Sequence, residues 1–340
     1  MIAETAPAQP IPPAQRATTP LVVAIGACTR QRPKMLERLL ASFEQLEIPD
    51  GVTPVFVIVE NDTEATSHMV IDQFRDRLPG VVHFALETVP GIPMARNRGL
   101  DEAASLNADA MLYVDDDETV DPQWLTALVT AWRTSSAELI GGPVRLTPPE
   151  EDLTGPQNTV YQGMVKRFAG KENRAAEKAA AGQAERVTVV TNNWLCDMRL
   201  YHVLGLRFDE ALQFTGGSDT RFFRAAREAS VEIGWAPDAI VYETVPPARL
   251  TLPYQFSRGR DQSATSFGQK MAEGKWGDAV ISILIFVPLK ALALVLIVLS
   301  LPVTRSQGLV ALFRQSGWIV GRLSRLFGRQ SGLYKKITGS

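Results

Sequence analysis

The sequence has only two cysteines and three histidines, and its net charge is −2. Cys28 and Cys196 lie far apart with no CxxC or Cys/His spacing, which argues against a disulfide framework and a structural zinc site and suits a reducing, cytosolic setting. His68, His83 and His202 belong to no HExxH, so a zinc protease is not indicated. The first 250 residues hold no long basic run interleaved with aromatics, and nucleic acid is not an expected partner. There is no GxxxxGK[ST] and no GxGxxG after the first strand, which argues against a kinase and an NAD dehydrogenase. Gly216-Gly217-Ser218-Asp219-Thr220 lacks the second glycine of a nucleophile elbow. Asp115 to Thr119 lacks the later glycine and terminal glutamate of a calcium loop.

What is present is a chain of 340 residues, 45% apolar, enough for a substantial core. Residues 1–20 are rich in Pro, Ala and Thr without a signal-peptide apolar core, and are expected to be a disordered tail. Leu21–Ala27 reads as a strand, followed by Cys-Thr-Arg-Gln-Arg-Pro and a helical pattern of Met35, Leu36, Leu39, Leu40, Phe43 and Leu46. Pro54–Val59 is a second strand ending in Glu60-Asn61-Asp62-Thr63, Val81–Leu86 a weaker third, and Ala110–Val114 a fourth. A helix opens at Gly91 and runs to about Leu106. Strands alternating with helices imply an α/β fold with a mostly parallel sheet covered on both faces. Ligands then bind at the carboxyl ends of the strands, where the CTRQR, ENDT and DDDE clusters should converge.

The fourth strand, LYV, stops in Asp115-Asp116-Asp117-Glu118. In an extended segment Asp115 and Asp117 share a face while Asp116 points away. Two convergent carboxylates suit Mg²⁺ or Mn²⁺, with waters and diphosphate oxygens completing the shell. A solvated acidic turn capping the next helix is the plainer alternative.

In the order of these motifs the chain resembles an inverting nucleotide-sugar glycosyltransferase of family 2 with the GT-A fold, and is similar to bacterial exopolysaccharide glucosyltransferases. The resemblance covers about residues 20–265. It implies a nucleotide-sugar-binding half over 21–118 and an acceptor-binding half of the same domain over 119–265. The first-strand turn, with Thr29, Arg30 and Arg32, matches the start of the nucleotide site, and Glu60, Asn61 and Asp62 match the turn at the uracil or ribose, with Glu60 where Asp is more usual. Ala95-Arg96-Asn97-Arg98-Gly99 matches the family's ARNxG, which adds Arg96 and Asn97 to the nucleotide site. Asp115-Asp116-Asp117 matches the D-x-D, with Asp117 as metal ligand, Asp115 at the ribose or the metal, and Asp116 counted with the nucleotide-sugar contacts.

Farther along, Thr215-Gly216-Gly217-Ser218-Asp219-Thr220-Arg221-Phe222-Phe223 resembles G-G-E-D-x-x-F-F. This implies Asp219 as the general base, in front of a helix over 221–229, with Ser218 in the place of an acceptor-binding Glu. Asn192-Asn193-Trp194 is similar to an acceptor-side segment, with Asn193 and Trp194 as candidates; Trp194 stacks on a sugar or packs in the core. Glu243 stands roughly where many relatives place a metal-binding His. Arg249, Arg258 and Arg260 face a leaving diphosphate, a lipid diphosphate or solvent.

Ala279–Val303 is apolar apart from Lys290 and as a helix reaches about 37 Å, more than the ~30 Å hydrocarbon core. Arg258, Arg260, Lys270 and Lys275 precede it, and Arg305, Arg314, Arg322, Arg325 and Arg329 follow it. Positive flanks on both sides favour a helix, break, helix that enters one leaflet and returns, with the break at Pro288 and Lys290, ahead of a single span. Residues 307–327, with Leu309, Leu312, Phe313, Ile319, Val320, Leu323 and Leu326, read as an interfacial amphipathic helix.

The resulting expectation is an enzyme at the cytoplasmic face of the inner membrane. It would move a sugar, glucose first, from a UDP-sugar to a lipid-linked saccharide or polysaccharide acceptor. The competing expectation is a catalytically idle nucleotide-sugar-binding subunit of a polysaccharide assembly complex.

Overall fold

The structure, a computed structural model, describes residues 20–213 and 216–325 together with Arg16. Most of the expected tail, Thr215 of the glycine motif, Leu326 and residue 327 of the amphipathic segment, and Arg329 lie outside the described residues.

The first half alternates strand and helix: β1 Leu21–Thr29, α1 Pro33–Phe43, β2 Val52–Glu60, α2 His68–Phe74, β3 Val81–Leu86, α3 Ile92–Ser105 and β4 Ala110–Asp115. The second half is less regular: β5 Glu118–Val120, α4 Trp124–Thr134, β6 Leu139–Gly141, β7 Val144–Leu146, α5 Gly155–Ala180, β8 Asn193–Asp197, α6 Arg199–His202, α7 Ser218–Glu228, β9 Ile233–Trp235, β10 Val241–Glu243 and α8 Leu252–Ala272. The chain then continues through α9 Trp276–Ile281, a π-helical turn Ser282–Phe286 and α10 Val287–Ser324.

Seven strands form one sheet in the order β3-β2-β1-β4-β8-β6-β9. β1 runs parallel to β2 and β4, and β8 runs antiparallel to both its neighbours. Alternate residues of the central strands feed two cores. Val23, Ile25, Phe56, Ile58 and Leu112 meet α1, α2 and α4. Ala24, Val57, Val59, Met111 and Tyr113 meet α3 and α7. A strand buried on both faces needs continuous apolar sequence, as LVVAIGA and PVFVIV supply. A small second sheet, β5-β10-β7, stands beside the first. The register sets Thr29 against Glu60 and Cys28 against Asp115, so the motif-bearing ends of β1, β2 and β4 are level.

Arg16 departs from the expected tail. Its guanidinium is buried, stacks on the Trp132 ring and donates to the Asp197 carboxylate at 2.5 Å. A buried carboxylate beside an indole face satisfies a charge that composition alone assigned to solvent.

The break in the apolar segment is not at Pro288 and Lys290. The π-helical turn Ser282–Phe286 precedes Pro288, where a widened turn accommodates the proline's missing N–H, and the helix runs on. The chain reverses at Arg305, whose φ of 46° and ψ of −117° interrupt α10. A straight helix would hold Lys290 and Gln315 about 37 Å apart, yet the Gln315 side chain donates to the Lys290 carbonyl at 2.8 Å and the Lys290 ammonium lies 5.0 Å from the Trp318 ring centroid. The segment is therefore a helical hairpin. Its second arm packs on α8 backbone to backbone: Gly317 sits against Phe256, Gly321 against Arg260, and Gly259 of α8 against Arg314. Gly308, Val310, Gly317 and Gly321 are the buried face of this arm, whereas Val320 and Leu323 of the proposed amphipathic stripe are exposed. The first arm leaves Leu284, Leu289, Leu292, Leu296, Leu299 and Val303 exposed. Among the described residues, Trp276–Ser324 is the one helical stretch whose length and composition suffice to cross a membrane, and the reversal at Arg305 divides it into the two arms.

Candidate active site

A cleft of about 870 Å³ opens at the carboxyl edge of β1, β2 and β4. The first-strand turn, Asn61, the acidic turn, α5, the start of α7 and α8 all border it. The convergence expected of the polar clusters holds for the first and third clusters and for Asn61.

The acidic cluster is a turn. Asp116 and Asp117 link β4 to β5, so strand alternation does not govern Asp115 and Asp117 as expected; the reversal itself brings them together. Asp115 is nearly half exposed at the cleft and accepts from the Arg96 guanidinium at 3.1 Å. Asp116 is buried, accepting from the Thr29 hydroxyl at 2.9 Å and from Arg32 at 2.8 Å, and burial pushes its carboxyl up to about 6. It holds the first-strand turn to the acidic turn. Asp117 lies 3.6 Å from Arg32 and 3.5 Å from Arg249. Burial and then Asp115 raise its carboxyl, and burial with Asp115, Asp117 and Glu243 raises that of Glu118 further. Glu118 accepts from the Asp115 N–H and from the Asn192 amide, both at 2.9 Å. Burial, then Asp117, pushes Glu243 up to about 7.

This donor set fits a divalent cation of the Mg²⁺ or Mn²⁺ type. The oxygens are hard, and burial, then mutual repulsion, raises Asp117, Glu118 and Glu243 in spite of the neighbouring arginines, a field that a cation would relieve. Among the described residues no three His, Cys, Asp or Glu side chains group tightly enough to enclose an ion unaided. An ion here would hold to Asp115 and Asp117 and take its other oxygens from water and ligand.

Of the other nucleotide-side candidates, Thr29, Arg30, Arg32 and Arg96 border the cleft. Burial disfavours charge on Arg96, but Asp115 and Asp219 outweigh it and keep the guanidinium protonated. Glu60, Asp62 and Asn97 are not in the cleft wall. Glu60 is fully buried and spends its carboxylate on Thr66 and on the Ser67 N–H, closing the loop after β2. Asp62 bonds Gln31 on the surface. Asn97 brackets the Phe208 backbone, accepting from its N–H at 2.8 Å and donating to its carbonyl at 3.0 Å. Asn61 borders the cleft but positions: its amide donates to the Glu87 and Val89 carbonyls and its oxygen accepts from the Gly91 N–H. Gly91, at φ 142° and ψ 137°, takes a backbone form open to glycine, and α3 with Arg96 starts there.

Asp219 lies in the first turn of α7, one residue inside a helix that begins earlier than expected. Gly216 and Gly217 both have left-handed φ, 75° and 86°, so the Gly-Gly pair makes the sharp entry. The helix N-terminus favours the Asp219 carboxylate, which accepts from the Thr220 N–H at 2.7 Å and borders the cleft. Arg96 pairs with Asp115 and also feels the charge of Asp219, so one guanidinium is within electrostatic reach of both carboxylates.

The acceptor-side candidates differ from expectation. Trp194 is fully buried among Tyr113, Phe208 and Phe222, which removes sugar stacking. The Asn193 side chain accepts from the Trp124 indole and donates to the Pro143 and Ala239 carbonyls, so it ties the two sheets together. Its neighbour Asn192 faces the acidic turn, with its amide on Glu118 and its buried oxygen without a partner. Ser218, in contrast, lines the cleft beside Asp219, buried at the α7 entry.

Sequence reasoning missed one wall. Arg167, Lys171, Arg174 and Lys178 of α5 all border the cleft, as do Arg314 and also Arg258, which the sequence already offered as a diphosphate partner. The spacing of the α5 cations, i, i+4, i+7 and i+11, was a readable signal of a single basic helix face.

A family model described as glycosyltransferase like family 2 matches residues 20–259. The succinoglycan biosynthesis protein ExoM of Rhizobium meliloti (strain 1021) is 29% identical over 257 residues, covering 76% of this chain and 77% of that protein. Among solved structures, a mannosyltransferase of Pyrobaculum calidifontis in complex with GDP-Man and Mn²⁺ aligns with a TM-score of 0.59 at 14% identity, covering 93% of this chain and 89% of that one. TarS of S. aureus aligns at 15% identity with a TM-score of 0.46; the match covers 69% of this chain and 38% of TarS. The fold is the GT-A arrangement, a mixed α/β domain on a mostly parallel sheet.

Proposed function

The chain belongs to the glycosyltransferase like family 2, and from that premise we propose that it transfers one sugar from a UDP-sugar to a lipid-linked or polysaccharide acceptor, with inversion. Glucose is the first donor to test, and a cell-surface polysaccharide is the product we assign, a reading supported by the likeness to a succinoglycan biosynthesis protein.

The observation that carries this reading is that Asp219, the Asp115/Asp117 turn and Arg96 all line one cleft. In the proposed step the Asp219 carboxylate takes the proton of an acceptor hydroxyl as that oxygen attacks the anomeric carbon. The bond from that carbon to the diphosphate oxygen breaks, and UDP departs with the bonding pair. An α-linked donor thus gives a β-linked product. Arg32 and Arg249, both beside Asp117, orient the donor end and offset charge on the leaving diphosphate. Mg²⁺ or Mn²⁺ held by Asp115 and Asp117 would supply further neutralisation of that diphosphate.

Residues 21–118 form the donor half on this reading and 119–265 the acceptor half. The exposed apolar arm supports attachment to a membrane; on this reading the face is the cytoplasmic one, where a lipid-carried acceptor would also lie. The test is UDP release from a panel of UDP-sugars with membranes supplying acceptor. Glucose-dependent release is expected; cation-dependent UDP binding without transfer from any donor would instead favour the idle binding subunit.

A further inference from the structure

The acidic turn occupies one end of the cleft, and a concentration of positive charge occupies the wall contributed by three helices. Arg167 and Lys171 come from α5, Arg258 from α8 and Arg314 from the second arm of the hairpin. Among the described residues no carboxylate forms a salt bridge with Arg167, Lys171 or Arg314. Arg314 is held by two neutral acceptors, the side-chain oxygens of Gln255 at 2.9 Å and Gln262 at 3.1 Å. Lys171 is exposed as a residue, yet desolvation at its ammonium, then repulsion from Arg167 and Arg314, lowers its pKa to about 8. Assembling cations in this way opposes folding, and an anion in their midst relieves it.

Two observations identify the anion's carrier. The donor end of the cleft already holds Asp115, Asp117, Arg32 and Arg249, and Glu243 attracts cations of both ends, Arg249 on one and Arg258, Lys171 and Arg314 on the other. The basic wall, in contrast, adjoins the apolar hairpin: Gln315, next to Arg314, bonds the Lys290 carbonyl of the exposed arm. An anion bound at the wall with a hydrocarbon tail would leave that tail beside exposed Leu289 and Leu292.

We propose that Arg167, Lys171, Arg258 and Arg314 form a second anion site, which takes the phosphate or diphosphate head of a polyprenyl-linked acceptor and aims its saccharide at Asp219. This rests on the glycosyltransferase reading for the role of the saccharide, whereas the anion site stands on its own geometry. Guanidinium groups and an ammonium around a diphosphate give charge-assisted hydrogen bonds, and a wall built from three helices fixes where the head sits relative to the general base.

The test uses full-length protein and three probes. These are UDP with Mn²⁺, phosphatidylcholine vesicles doped with a long-chain polyprenyl diphosphate, and phosphatidylcholine vesicles carrying phosphatidylglycerol at equal surface charge. Inorganic pyrophosphate serves as competitor. The paired substitution Arg167→Gln with Lys171→Gln should cut capture by the polyprenyl diphosphate vesicles by about tenfold or more, as loss of charge-assisted bonds implies, and leave UDP binding in place. Arg314→Gln should repeat the result from a different helix, with far-UV circular dichroism confirming its fold. Pyrophosphate should compete with the diphosphate vesicles for the wild type and no longer for the paired variant.

Parallel loss of UDP binding would assign the wall to the donor diphosphate and overturn the proposal. Equal capture by phosphatidylglycerol vesicles, equally lost in the variant, would make it a general membrane-charge patch and also overturn it. Undiminished capture by the variants would do the same. Polyprenyl diphosphate binding that survives while no donor sugar is transferred would sink the glycosyltransferase reading alone.

Discussion

Glu118 and Glu243 are direct cross-strand partners in the antiparallel pairing of β5 with β10. Like charges so placed oppose each other, and Asp115 and Asp117 add to the same field. The cleft floor is a place where negative charge has been gathered against its own repulsion.

A divalent cation should therefore stabilise the protein. Chelator-treated protein given Mn²⁺ at a hundredfold excess over its dissociation constant should gain about 2.7 kcal/mol, a rise of several degrees in thermal midpoint. Asp117→Ala should lose that gain. Glu243→Gln should melt higher than wild type without cation, since it removes one of the opposed charges. Calorimetric scans check all three, and an undiminished Mn²⁺ effect in Asp117→Ala would remove Asp117 from the cation site.

Asp219→Asn keeps size and the helix entry while discarding the base. Turnover should fall about 10²- to 10⁴-fold, the usual worth of a general base, with UDP binding retained. A variant that keeps wild-type turnover would eliminate Asp219 as proton acceptor.

Trp194 is a packing residue, so its substitutions should act on stability. Trp194→Ala should cost about 3–5 kcal/mol, read from denaturant midpoints. Trp194→Phe should be much milder and leave the acceptor KM unchanged. A raised KM at undiminished stability would return Trp194 to the acceptor site.

Asp101 supplies one part of the pH dependence, away from the cleft. Burial works against its charge, but hydrogen bonds from Arg207 and Tyr201 outweigh burial and hold its carboxyl below the usual range. A depressed acid stabilises above its unfolded value of about 3.9 and loses that contribution as pH falls through the lower folded value. Asp101→Asn should thus lower the urea midpoint at neutral pH and converge with wild type in strong acid. Its partial exposure keeps the effect modest. Parallel curves at all pH values would show that the carboxylate contributes no linkage.

The sheet was legible because β1, β2 and β4 are apolar on both faces, a demand that sequence states openly. Asp219 and the acidic turn were legible as motifs. The division of labour among neighbours was not. Asn192 reaches the acidic turn while Asn193 braces the two sheets, and a one-residue alternation decides between them without leaving a trace in composition. Glu60 is consumed by Thr66 and Ser67, loop residues whose return could not be read from the turn itself. The reversal at Arg305 was missed because proline is the usual breaker, and here a π-helical turn absorbs Pro288. The basic face of α5 was readable in its spacing, but no strand end pointed to it.

The glycine contacts that seat the hairpin's second arm on α8 bring backbone against backbone at Phe256, Arg260 and Arg314. Such seams leave little room for sliding, and α8 in turn holds the α7 entry through Gln269 on the Gly216 carbonyl and through Glu273 on Arg221 and Arg224, so the hairpin and Asp219 share one frame. If that arm rests on lipid and Asp219 is the base we propose, the base stands at a fixed altitude above the bilayer, and the enzyme becomes a gauge. An acceptor whose terminal sugar lies too near its carrier, or too far from it, would miss the base, and the number of sugars already added would determine which intermediate is extended.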